Sequence, residues 1–180
     1  MTRKEQLPTP IMSTSDDGAS AGLKVDVGQT GFWEGREFRF EYEMSGPIVF
    51  KFNAPINFIL QSQELLSHDG TATLAVYLAN QGVAAGTFDQ VITPVNNNGM
   101  SDAPTYAPAI SIASGGTFTP SDNDPNFSRE YIKAVSATAT AQRSTVGGNT
   151  VPERGLPVGE YYLVFTGDDA SYRLLYEERP

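Results

Sequence analysis

The chain has 180 residues, a net charge of −9 and a charged fraction of 18%, below the usual quarter; that length suits one domain with a real core and is short for two. Its 12 Lys and Arg are scattered among 21 Asp and Glu, which argues against a nucleic-acid partner, since that would need clustered cations to release counterions. Cysteine is absent, which excludes disulfides, thiolate catalysis and cysteine-based zinc sites.

Residues 1–22, "MTRKEQLPTPIMSTSDDGASAG", are polar and punctuated by Pro8, Pro10, Gly18 and Gly22. We expect an extended, flexible arm there, with Ile11 and Met12 as a small apolar anchor should it order on a neighbouring subunit. Arg3-Lys4 is not followed by an apolar stretch, so no secretory signal is expected. No run reaches the roughly 18 apolar residues of a membrane span. The expectation is a chain made unprocessed in a reducing cytosol, without membrane partners.

From Leu23 to Pro180 the period is two, as in strands, and we read one β-sandwich domain. "LKVDV" at 23–27 alternates, and "GQTGFWEG" makes a turn-rich link. "REFRFEYEM" at 36–44 is the clearest strand, with Phe38, Phe40, Tyr42 and Met44 on one face and Glu37, Arg39, Glu41 and Glu43 on the other. Ser45-Gly46-Pro47 ends it. "IVFKFN" and "INFIL" follow, separated by "NAP". Asp69-Gly70 in "SHDG" reads as a hairpin turn, because it accepts positive φ. "TATLAVYLA" is apolar on both faces and so predicts a strand covered on both sides. Short apolar runs between turn clusters fill 80–127. "REYIKAVSATATA" at 129–141 reads as a strand on its β-branched content. Two strands, at 161–166 and 171–177, close the chain around a "GDD" turn. The pattern predicts an all-β fold, an antiparallel β-sandwich of jelly-roll type behind an N-terminal arm.

Candidate sites are few. His68 is the sole histidine, and Asp69 beside it points to the other face of a strand end, so it reads as a turn residue and no catalytic pair is expected. Asp122, Asp124 and Asn126 begin like a calcium loop. Phe127 then stands where such a loop needs Gly, and Lys133 where it needs a bidentate Glu. A turn capping its own backbone is the better reading; no cofactor or metal is expected. Asn126-Phe127-Ser128 matches a glycosylation triplet by chance. Phe32 and Trp33, in a Gly-flanked turn, serve either as an interface anchor or as a core plug.

Three separated blocks carry a resemblance: "KVDVGQTGFWEGREFR", "PVNNNGM", and "ERGLPVGEYYLVF" with the terminal "YEERP". Together they resemble a family of small tailed-bacteriophage virion structural proteins over about residues 24–180. Leu175-Tyr176 departs from it, standing where the family has aromatic pairs. The resemblance implies a non-enzymatic head decoration or cement protein, or the base of a head or tail fibre, located in the virion after assembly in the host cytoplasm. The implied partners are the major capsid protein and further copies of the chain in a dimer or trimer. The expected contacts are the 1–22 arm, Phe32-Trp33 and the loop Arg154-Gly155-Leu156, with Arg36 and Arg154 as ion-pair donors. A host-recognition or adaptor domain of the tail is the alternative. A carbohydrate-active enzyme is a third reading, with little in the sequence behind it.

Overall fold

A computed structural model describes residues 30–99, 106–122, 130–135 and 154–180. The arm at 1–22, with Ile11 and Met12, and the strand expected at 23–27 lie outside them. Among the described residues, one helical turn, α1 (Thr30–Trp33), precedes eleven strands: β1 (Glu37–Met44), β2 (Ile48–Ala54), β3 (Asn57–Asp69), β4 (Thr71–Leu78), β5 (Gly82–Ile92), β6 (Val95–Asn96), β7 (Ser111–Pro120), β8 (Glu130–Val135), β9 (Arg154–Leu156), β10 (Gly159–Thr166) and β11 (Asp169–Arg179).

They form two antiparallel sheets, ordered β6-β1-β11-β3-β9 and β5-β7-β2-β10-β4-β8. The pairs β1 with β11, β2 with β10, β3 with β9 and β4 with β8 make a long two-stranded ribbon. Its successive segments alternate between the sheets, which is the jelly-roll path. β5 and β7, inserted between β4 and β8, pair with each other and widen the second sheet beyond β2.

Tight connections carry this path. Asp69-Gly70 takes positive φ (59°) as expected, but it does not close a hairpin. β3 and β4 belong to opposite sheets, so the turn is a corner between layers. Hairpins and corners demand the same backbone of a glycine, which is why the dipeptide does not distinguish them.

The core lies between the sheets. Phe38, Phe40 and Met44 of β1, Phe50 and Phe52 of β2, Leu74 of β4, Phe165 of β10 and Tyr172 and Tyr176 of β11 are all buried there. Phe40 sits edge-on to Phe50 and Phe52 at 5.4 and 5.6 Å, the arrangement aromatic quadrupoles favour. Each such ring contributes about 1.5–3 kcal/mol on burial. Leu175-Tyr176 fits without an aromatic pair, since Tyr176 is fully buried between Phe38 and Phe58.

A second, smaller cluster explains the two apolar faces of β4. Leu74 points into the main core, while Ala75 and Tyr77 face outward under Phe118 and beside Tyr162. The β5–β7 pair bends at Gly86, Gly115 and Gly116, all with positive φ. A side chain at Gly116 would meet the Phe88 ring at 2.6 Å. The bend lets Phe118 stack on Tyr162 at 4.5 Å, covering the outer face of the second sheet.

Candidate functional site

The outward face of the first sheet has two ends with different chemistry. At one end it is capped. The segment "GFWEGR" forms a Schellman motif: Arg36 N–H donates to Gly31 C=O at 2.7 Å, Gly35 N–H to Phe32 C=O at 3.1 Å, and Gly35 takes φ 70°. This ends α1 and lays Gly31 on the side chain of Glu177, so close that a Cβ there would lie 2.0 Å from the carboxyl carbon.

Three buried carboxylates hold the cap. Glu37 and Glu177 stand opposite each other on β1 and β11, facing outward yet covered. Glu37 accepts from the Asn97 side chain. Glu177 pairs with Arg179 at 3.0 Å and accepts from Gln61 at 3.5 Å; Gln61 is freed for this where the β3–β11 register slips beside Tyr176. Burial pushes the Glu177 carboxyl above its ordinary value, against the pull of Arg179 and Arg36 and with help from Glu37. Glu178 points to the inner side and accepts backbone N–H from Ala109 at 3.0 Å and Ile110 at 2.8 Å. Its own N–H donates to Arg36 C=O at 3.0 Å.

The run Asn96-Asn97-Asn98 completes the staple. Asn96 Nδ2 donates to Gly35 C=O at 2.6 Å, and Asn98 Nδ2 to Phe32 C=O at 2.9 Å. Parts of "GFWEGREFR", "VNNNG" and "YEERP", far apart in sequence, therefore meet at one corner. No spacing in the sequence announces this meeting. The asparagines look like an ordinary turn until β6 places them beside β1. The corner presents Trp33, 54% exposed and edge-on to Phe32 at 5.3 Å.

The expected contact residues divide accordingly. Trp33 is at the surface, not a core plug, and Phe32 is half-buried. Arg36 is taken up within the chain, bonded to Glu34 and to Glu178 C=O. Gly155 is exposed on β9, whereas half-buried Leu156 packs against the main core. The side chain of Arg154 lies outside the described residues, as do Asp124 and Asn126 of the calcium-like run, and Asp122 is exposed. Among the described residues no three His, Asp or Glu side chains are grouped to hold a metal ion.

At its other end the same sheet face opens into a groove of about 600 Å³. Across β1, β11 and β3 the outward rows read Glu41–Arg173–Glu64 and, one step along, Glu43–Ser171–Leu66. Arg173 bonds Glu41, which also pairs with Arg39 at 3.4 Å. His68, expected in a turn, stands near the end of β3 with Nε2 3.4 Å from Glu43. The small Ser171 between longer neighbours is what hollows the groove.

On the outer face of the second sheet, Lys51 Nζ lies 2.6 Å from Glu160, which also accepts from the Tyr162 hydroxyl. Burial disfavours the Glu160 charge, but these bonds and the Lys51 charge outweigh it and hold the carboxyl below its ordinary value. Burial and Glu160 push Tyr162 up to about 12, so it stays a donor. The group ties the outer aromatic cluster to β2 and β10.

No protein-family model, curated protein or solved structure matches the chain, and the chemistry of the capped corner and the groove stands on its own geometry.

Proposed function

We propose that the protein is a structural protein of a bacteriophage virion: a decoration protein that binds the outer surface of the major capsid shell, as a dimer or trimer, and stabilises it. One observation carries this reading. One stretch from each of the three blocks on which the resemblance rests, around Gly31-Arg36, Asn96-Asn98 and Glu177-Glu178, meets the others at a single buried polar corner, while the ERGLPVGEYYLVF part of the third block lies elsewhere on β9 and β10, and that corner holds out Trp33. A half-exposed Trp beside a hydrogen-bonded corner is a side chain well suited to anchor a protein interface. A jelly roll is compatible with the reading without selecting it, because viral capsid and lectin domains share that path. Repeated over a shell, individually modest interfaces become strong through closed symmetry and avidity.

The test is decoration itself. Shells incubated with the protein should withstand a higher temperature before they disrupt than bare shells do. Trp33→Ala, which alters no buried contact of the main core, should weaken shell binding at least tenfold (about 2 kcal/mol for an anchor aromatic). Unchanged shell stability, with the protein instead capturing tail or host-envelope material, would move it to the tail.

A further inference from the structure

We infer that the groove on the outer face of the first sheet is the seat of a basic side chain from a partner protein. On the reading above, that partner is the capsid shell, and the groove supplies a second contact beyond Trp33. The inference rests on that reading only for the partner's identity; the groove's chemistry stands by itself.

The charges in the groove are unevenly matched. Glu41 is doubly satisfied, by Arg173 and by Arg39. Glu43, with its side chain 79% exposed, has the His68 imidazole 3.4 Å away and no Lys or Arg paired with it among the described residues. Glu64 lines the groove opposite Arg173 on β11, but that guanidinium is bonded to Glu41, and no ion pair to Glu64 forms among the described residues. Glu43 and Glu64 thus stand on opposite banks, β1 and β3, with β11 between them. Two strand spacings separate the banks, roughly 10 Å, and the hollow over Ser171 keeps the gap open.

That spacing suits one long cationic side chain lying across the hollow. Its charged end would bond a carboxylate, and its methylene stem would lie over Leu66. Arginine fits best, because its planar fork can bond a carboxylate twice. A polyanion is disfavoured by the carboxylates on both banks. A divalent metal would need three grouped ligands, and among the described residues none are so placed.

The experiment uses the full chain and two probes. The first is the peptide acetyl-Arg-Ala-Arg-amide, titrated into isotopically labelled protein and followed by NMR, with acetyl-Ser-Ala-Ser-amide as control. Shifts should concentrate at Glu43, Glu64, Leu66, Ser171 and Arg173, and vanish in the double variant Glu43→Gln/Glu64→Gln. Both substitutions preserve shape on an exposed face, so the fold is kept. Shifts elsewhere, or shifts undiminished in the variant, overturn the inference. The second probe is undecorated shells at increasing NaCl. Wild-type affinity should exceed that of the variant by about tenfold or more at low salt, and the two should converge as salt rises. Equal affinities and equal salt slopes overturn the groove while leaving decoration standing. If wild type binds no shells, the decoration reading fails, and the peptide titration alone decides the groove.

Discussion

Adding one methyl group at Gly31 tests the capped corner. Gly31 has an ordinary backbone, so the effect of Gly31→Ala is steric alone. The new Cβ would lie 2.0 Å from the Glu177 carboxyl carbon and 2.2 Å from its Cγ, well inside contact distance. A free glutamate would swing away. Glu177, however, is 2% exposed and held by Arg179 and Gln61, so either the ion pair or α1 must yield. Overpacking of this kind costs about 2 kcal/mol, or roughly 4–8 °C in Tm for a domain of this size. Glu177→Ala empties the space the methyl needs, and Arg179, 38% exposed, can turn to water. In that background Gly31→Ala should cost under about 0.5 kcal/mol, giving a coupling of about 1.5 kcal/mol in the double-mutant cycle. The assay is urea unfolding of wild type, both single variants and the double variant. An equal penalty for Gly31→Ala in both backgrounds would refute the placement of Gly31 on Glu177.

Three further outcomes are expected. Glu178→Gln puts an amide where two backbone N–H groups point and should destabilise by about 2–3 kcal/mol in the same assay, with amide exchange accelerated at Ala109 and Ile110; unaltered exchange there would contradict the clamp. Tyr176→Phe removes a buried hydroxyl that has no hydrogen-bond partner among the described residues and should be neutral or stabilising by up to about 1 kcal/mol; a loss of more than about 1 kcal/mol would count against it. Burial raises the Glu177 pKa above its ordinary 4.5, so between those two values the folded chain binds more protons than the unfolded one and stability falls as pH rises. Glu177→Gln should therefore gain on wild type from about pH 4.5 upward, and then level off. Glu160, held low, has the opposite sign: its contribution is present above its ordinary pKa and lost as pH falls through the folded value. Urea midpoints across pH measure both, and a flat difference between Glu177→Gln and wild type would exclude the first.

Strands were legible in the sequence wherever one face is buried and the other wet. "REFRFEYEM" alternates because β1 has the core on one side, and "TATLAVYLA" fails to alternate because Phe118 covers its outer side. What stayed hidden was non-local. Asp69-Gly70 announces positive φ but not whether the chain stays in one sheet or crosses to the other. Glu37 reads as part of the polar face of its strand, and nothing local reveals that α1 and the asparagine run cover it and Glu177. The groove was half-visible. Glu41 and Glu43 alternate with the apolar row of β1 and so lie on its polar face, but the Glu41–Arg173–Glu64 row exists only once β11 inserts between β1 and β3.

Co-sedimentation of the purified protein with undecorated phage shells, counting bound copies per shell, tests shell decoration without intermediaries. Saturable binding at a copy number matching the symmetry of the shell lattice is expected. Absence of binding, or binding without a plateau at any lattice-related number, would contradict it.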